Sequence, residues 1–304
     1  MKQLQDALKL NSKIIDDFLN INLPKPFGLH INLLKAIKYS LIGSGKKFRG
    51  FLVLESGRVI CAKNGKNIDD KKFKELLVTA SAVEAIHTYS LIHDDLPSMD
   101  NSDYRRGKKA AHLKYDEATA ILAGDALQSW AFELISNSNN IKSAEIRSEI
   151  IFNLSKGIGL SGMVAGQQAD IDLQNLKIHT NDITWIQDKK TGSLIECCVI
   201  LGCLIGKGSL YQKESLISYA KSLGLAFQIT DDLLDLKGTK QKIGKPIGQD
   251  KSNNTPNFVN LLGEKEARKK SKMMVEKAVE TLKVFGKSSK NLVLLARYSI
   301  EREM

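Results

Sequence analysis

The chain places Asp94 and Asp95 side by side, adds a third carboxylate at Asp100 and follows with Arg105 and Arg106; a partial echo stands at Asp231, Asp232 and Asp235. Adjacent carboxylates about 4 Å apart repel by roughly 4 kcal/mol at an effective dielectric near 20. A protein that gathers so many of them on apolar elements needs a compensating cation. Magnesium suits, because it takes hard oxygen ligands through one or two carboxylates and completes its octahedron with water and substrate phosphates. Arg105-Arg106-Gly107 adds anion donors beside the first cluster. Either cluster alone fits a solvated charged loop, and the two together point to metal-held polyphosphate chemistry.

Helices must position these groups. From Ala80 to Asp95, Val83, Ile86, Tyr89 or Ser90, and Ile92 or His93 recur at near-helical spacing, while Glu84, His87, Leu91 and Asp94/Asp95 share another face. The stretch is apolar nearly all round, which predicts a buried helix. Pro97 disfavours helical geometry at Leu96 and ends it there. Asp94 and Asp95 then sit at a helix C-terminus, where free carbonyls and the negative dipole end favour a cation, and the following turn can bring Asp100 back to the same ion. In the second cluster, Leu216, Tyr219 or Ala220, Leu223, Phe227, Thr230 and Leu234 form an apolar stripe. Gln228, Asp231 or Asp232, and Asp235 lie together on another face, and the helix is expected to stop near Lys237-Gly238.

The segment from His87 through Asp94-Asp95, Asp100 and Arg105-Arg106-Gly107 to Leu122-Ala-Gly-Asp-Ala-Leu127 resembles the first aspartate-rich region of the trans-isoprenyl diphosphate synthases. Gln228-Ile-Thr-Asp231-Asp232-Leu-Leu-Asp235 resembles their second. Gly43-Ser-Gly-Lys46-Lys-Phe-Arg49, Gly166-Gln-Gln-Ala-Asp170 and Lys190-Thr191-Gly192 fall in the family's order, so the likeness spans about residues 40–250. The four-residue spacer between Asp95 and Asp100 is similar to that of bacterial farnesyl diphosphate synthases and many geranylgeranyl synthases.

That resemblance implies an all-α helical bundle around a central cavity, and head-to-tail prenyl transfer. An allylic diphosphate ionises, the double bond of isopentenyl diphosphate attacks the cation, and a proton is lost, with the departing diphosphate as base. It implies magnesium, three ions with the allylic diphosphate bound, bridged by Asp94, Asp100 and Asp231, with Asp95 and Asp235 in support. Arg105, Lys190 and Lys245 would hold the same diphosphate. Lys46, Arg49, His87 and Arg106 would bind isopentenyl diphosphate without metal, and Thr191 and Gln228 would offer oxygen dipoles to the cation. His93 is read as structural, since no second pattern supports a phosphohydrolase. The family's Gly-Gly-Lys-Arg-x-Arg-Pro becomes Ser44-Gly45-Lys46-Lys47-Phe48-Arg49-Gly50 here, which preserves the charges. After Asp250, where relatives carry Gly-Lys-Ser/Asn-Thr, this chain reads Asn254-Thr255-Pro256-Asn257, and whether Lys251 replaces the missing lysine stays open.

A growing apolar tail must run away from Asp94 and Asp95 along their helix, so residues one to two turns upstream can form its floor. Five residues rise about 7.5 Å. Periodicity places Ser90 beneath Asp94 and Tyr89 further round. The resemblance selects Tyr89, because family members that stop at farnesyl commonly carry an aromatic residue there.

The chain has 304 residues, five prolines and sparse aromatics, with no regular run of alternating strands, which predicts one all-α domain over residues 1–304. Loops are expected at Lys63 to Asn67, Ser136 to Asn140 and Lys237 to Pro256, the last long enough for a lid. The 45 basic and 34 acidic residues give a net charge of +11. The lysines are dispersed and no nucleic-acid motif is present, so the excess suits anionic substrates, and Lys265 to Lys277 reads as a solvated helix face. Cys61, Cys197, Cys198 and Cys203 match no zinc spacing and suit a reduced, cytoplasmic protein. The apolar run between Glu196 and Lys207 is too short to span a bilayer, and the first residues lack a signal-peptide pattern. A homodimer is implied by the family alone. Farnesyl diphosphate is the leading product and a geranylgeranyl synthase the nearest rival. A terpene cyclase would carry a different second metal motif, and a catalytically silent partner subunit need not retain both clusters.

Overall fold

The computed structural model describes residues 2–43, 45–63, 68–173, 179–236 and 257–301. Lys245, Lys251 and almost all of the expected Lys63 to Asn67 and Lys237 to Pro256 loops lie outside them. The elements are helical apart from one short hairpin. In order they are α1 (Lys2–Asn22), α2 (Ile31–Leu41), α3 (Phe48–Lys63), α4 (Asp70–Asp94), β1 (Tyr104–Arg105), β2 (Lys108–Lys109), α5 (Ala111–Lys114), α6 (Glu117–Ser136), α7 (Ala144–Ile158), α8 (Met163–Asp172), α9 (Thr180–Gln187), a π-helical turn (Asp188–Gly192), α10 (Ser193–Gly206), α11 (Leu210–Leu236), α12 (Phe258–Leu262), α13 (Glu264–Thr281), a 3₁₀ stretch (Leu282–Ser289) and α14 (Lys290–Glu301).

Three helices that are apolar on nearly every face, α3, α4 and α10, pack against one another at the centre. Close approach of α3 and α10 depends on small residues: a Cβ on Gly202 would lie 2.4 Å from the Val53 carbonyl oxygen. Amphipathic helices wrap this centre. The α1 stripe of Leu4, Leu8, Ile15 and Leu19 is buried, and α13 buries Ala267, Ser271, Val275 and Ala278 while Lys265, Lys269, Lys272 and Lys277 face solvent, as the sequence predicts.

Local signals fix the helix starts. Asp69 caps α4 by accepting from the Lys72 N–H at 2.7 Å, and Asp116 caps α6 through Thr119 N–H at 2.7 Å. α4 ends at Asp94, before Pro97, and α6 ends at Ser136, where the expected loop begins. All four cysteines are buried thiols; burial pushes Cys197 up to about 12, which makes it a packing group rather than a nucleophile. Among the described residues no helix is long and apolar enough to cross a membrane.

Candidate active site

The loop after α4 folds back on the helix end. The Asp100 N–H donates to the Asp94 carbonyl at 2.9 Å, and the Ser102 N–H to the Asp95 carbonyl at 3.2 Å. These bonds satisfy carbonyls that a helix terminus otherwise leaves open. They also return Asp100 to the neighbourhood of Asp94. Both side chains, together with Asp231 of α11, line one cavity of about 740 Å³.

Asp95 turns away from that cavity. It is 2% exposed, and its carboxylate accepts from Arg105 Nε at 2.9 and 3.1 Å and from Arg105 Nη2 as well. Arg105 is delivered by the β1–β2 hairpin, whose turn residues Arg106 and Gly107 have φ of 52° and 77°. Positive φ at both positions is what a two-residue hairpin of this twist requires. Arg106 is thereby aimed back over the loop before α3. A Cβ on Gly45 would meet Arg106 Cζ at 2.7 Å, and the φ of 70° at Gly45 favours glycine there.

Arg49 Nη1 lies 2.9 Å from His87 Nε2, with Arg106 Nη2 3.5 Å from the same nitrogen. Guanidinium groups only donate, so Nε2 is the acceptor and the ring proton belongs on Nδ1. Burial first, then the Arg49 and Arg106 charges, hold His87 well below its ordinary value. Arg49 Nε is buried with no hydrogen-bond partner among the described residues. An orphaned buried donor in a cluster of cations fits an anionic ligand. Lys46 lines the same cavity and donates to the Tyr298 hydroxyl at 2.7 Å.

A second basic group enters from α8 and the π-helical turn. Gly166 lets α8 lie directly on that turn, since a Cβ there would stand 2.1 Å from the Lys190 backbone nitrogen. One turn further along, Asp170 Oδ2 accepts from Lys190 Nζ at 2.7 Å. Burial works against the ammonium, but Asp170, Asp94 and Asp100 outweigh it and hold its pKa above the usual value. Thr191 lines the cavity beside it. A single π turn within a helix is a frequent mark of a functional site.

On α11 the two adjacent aspartates divide. Asp232 is 4% exposed and accepts from Gln228 Nε2 at 3.0 Å and from the Phe258 N–H at 2.9 Å, tying α12 to α11. Asp231 and Gln228 line the cavity, and with its amide nitrogen engaged Gln228 has its carbonyl oxygen to offer there. Asp235 is half-buried one turn beyond and is not among the lining residues.

Tyr89 and Ser90 both line the cavity upstream of Asp94. Tyr89 is 6% exposed, its ring stands edge-on to His93 at 5.8 Å, and its hydroxyl has no partner among the described residues. Burial, with help from Asp94, pushes that phenol up to about 12. Ser90 spends its hydroxyl on the His87 carbonyl at 3.0 Å. His93 lines the cavity as well: its Nε2 lies 3.0 Å from the Ile121 carbonyl, and a Cβ on Gly124 would come within 2.1 Å of that nitrogen.

Comparison with known proteins decides the family. The polyprenyl synthetase family model matches residues 30–291. The chain belongs to the polyprenyl synthetase family. A farnesyl diphosphate synthase of Geobacillus stearothermophilus is 42% identical over 83% of this chain and 82% of its own. A geranylgeranyl diphosphate synthase of Cyanophora paradoxa is 36% identical over 99% of each. A geranyltransferase of Helicobacter pylori, solved with magnesium and isoprenyl diphosphate, superposes with a TM-score of 0.83 at 30% identity over 97% of this chain and 95% of its own.

The donor set of this synthetase fits magnesium. Asp94, Asp100 and Asp231 offer hard oxygen to one cavity, yet among the described residues no three His, Cys, Asp or Glu side chains form a group that could hold an ion by themselves. A cation that keeps waters and takes phosphate oxygens needs no such cage. Two of the synthetase's polar partners escaped the sequence reading, the lysine-pairing role of Asp170 and the reach of Tyr298 from α14. The first lies within a motif already noted; the second has no local signal.

Proposed function

We propose that this chain is a short-chain trans-prenyltransferase that condenses isopentenyl diphosphate with dimethylallyl or geranyl diphosphate and releases farnesyl diphosphate. The observation that carries this reading is that one cavity is lined both by the carboxylates Asp94, Asp100 and Asp231 with Lys190 and by a basic set, Lys46, Arg49, His87 and Arg106, beside which the one carboxylate, Glu84, accepts from the Gly50 N–H. Two diphosphates bound differently are what the condensation requires.

Asp94, Asp100 and Asp231 are the proposed ligands of magnesium, with Asp95 and Asp235 in support and three ions expected. Magnesium would spread the negative charge that grows on the departing diphosphate. Lys190, Arg105 and Lys245 hold that diphosphate as fixed cations. Asp170 keeps Lys190 charged and aimed, and Asp95 aims Arg105. Arg49, Arg106, Lys46 and neutral His87, through its Nδ1–H, bind the isopentenyl diphosphate. Thr191 and Gln228 present oxygen dipoles to the allylic cation, and the released diphosphate is positioned to accept the proton. Tyr89 closes the tail pocket.

The synthetase acts as one domain over residues 1–304, in the cytoplasm, as a homodimer, and takes no nucleic acid. Exposed Ile121 and Leu122 on α6 and Phe152 on α7 offer an apolar face for a second copy. Geranylgeranyl synthesis is the second reading, favoured by the likeness to the Cyanophora enzyme and opposed by the aromatic Tyr89. The test is turnover with and without chelator, in wild type and in Asp94→Ala and Asp231→Ala. Activity should vanish in chelator and fall by at least about a hundredfold in each variant with helicity intact. Undiminished turnover in chelator would refute the metal assignment.

A further inference from the structure

Lys46 stands apart from the other members of its set. Arg49, His87 and Arg106 contact one another, whereas Lys46 reaches to the last helix. Its Nζ donates to the Tyr298 hydroxyl at 2.7 Å and lies 5.0 Å from the centre of the Tyr298 ring, and both residues line the cavity. A lysine ammonium on a four-carbon stem loses much rotamer freedom when it grips an anion. A phenol oxygen on one side narrows that freedom in advance, and a single accepted N–H leaves two ammonium protons for phosphate oxygens.

We infer that Tyr298 is a positioning residue for the metal-free diphosphate, acting through Lys46. The inference rests on the reading that Lys46 binds isopentenyl diphosphate. It makes α14 part of the recognition of that substrate. Because Tyr298 acts through a binding group and not on the reacting atoms, its influence belongs in one KM.

The experiment is steady-state kinetics, varying each diphosphate in turn, on wild type, Tyr298→Phe, Tyr298→Leu, Lys46→Met and the Tyr298→Leu/Lys46→Met double variant. Tyr298→Leu should raise the KM for isopentenyl diphosphate roughly three- to tenfold. The allylic KM and kcat should stay within about twofold. Tyr298→Phe, which loses the hydroxyl that Lys46 meets, should raise the isopentenyl KM to a similar extent. With Lys46 already removed, Tyr298→Leu should add nothing further. Multiplying effects in the double variant, equal changes in both KM values, or no change at all would overturn the inference. If Tyr298→Leu fails to fold, Tyr298→Phe decides alone, and an unchanged KM for isopentenyl diphosphate overturns it. Failure of the functional reading looks different: wild type would not condense the two diphosphates, or Lys46→Met would leave the isopentenyl KM unmoved.

Discussion

Arg49 Nη1 meets His87 Nε2 at 2.9 Å, and because the guanidinium can only donate, the imidazole is held as a neutral acceptor. With two guanidinium groups around one half-buried histidine, protonating the ring would add a third positive charge and is disfavoured. Its pKa is held well below the ordinary 6.5 by burial and by Arg49 and Arg106.

A pH dependence follows from that pair. Between the folded and unfolded pKa values the unfolded chain binds the proton and the folded chain does not, so this contribution to stability is whole above 6.5 and is lost as pH falls below it. His87→Gln keeps an acceptor for Arg49 but cannot titrate. Its urea midpoint should therefore drop less than that of wild type between about pH 7 and about pH 5. Equal losses in the two proteins would contradict the neutral assignment.

The two diphosphate stations should separate by mutation. Arg49→Ala is expected to raise the KM for isopentenyl diphosphate at least about tenfold more than that for the allylic substrate, and Lys190→Ala the reverse. Asp170→Asn, which leaves Lys190 without its charged partner, should follow the Lys190 profile in milder form. Identical profiles for Arg49→Ala and Lys190→Ala would sink the two-station account.

Gly166→Ala tests how the lysine is carried. The added Cβ would fall 2.1 Å from the Lys190 backbone nitrogen, a clash that only movement of α8 or the π turn relieves. The expected cost is about 1–3 kcal/mol in urea unfolding, together with a raised allylic KM. A variant as stable and active as wild type would show that α8 does not set the turn.

The hydroxyl and the ring of Tyr89 should have opposite fates. Tyr89→Phe removes a buried hydroxyl without a partner among the described residues, so stability should hold or rise and the product should stay at fifteen carbons. Tyr89→Ala removes the floor and should shift product toward twenty carbons or more. The same fifteen-carbon product at a comparable rate from Tyr89→Ala would exclude Tyr89 as the floor.

Much of this arrangement was legible because short-range rules dominate it. Pro97 marks the end of α4, and the near-continuous apolar run before it marks a buried helix. The return of Asp100 follows from a turn of fixed length. Legibility failed where distant packing decides. Nothing local tells Asp231 from Asp232; the difference lies in the Phe258 N–H that Asp232 meets across a 26-residue separation. The π turn at Lys190 has no pattern of its own and lies against Gly166, 24 residues earlier in the chain. The Arg106-Gly107 hairpin joins strands of two residues each, too short for any alternation to register. Tyr298 and Lys46 are 252 residues apart.

The most direct measurement is chromatography of the wild-type products from isopentenyl and geranyl diphosphates with magnesium. Farnesyl diphosphate is the expected main product, with release of inorganic diphosphate in step with it. No condensation would contradict the assignment of the cavity, and a main product of twenty carbons would contradict the role given to Tyr89.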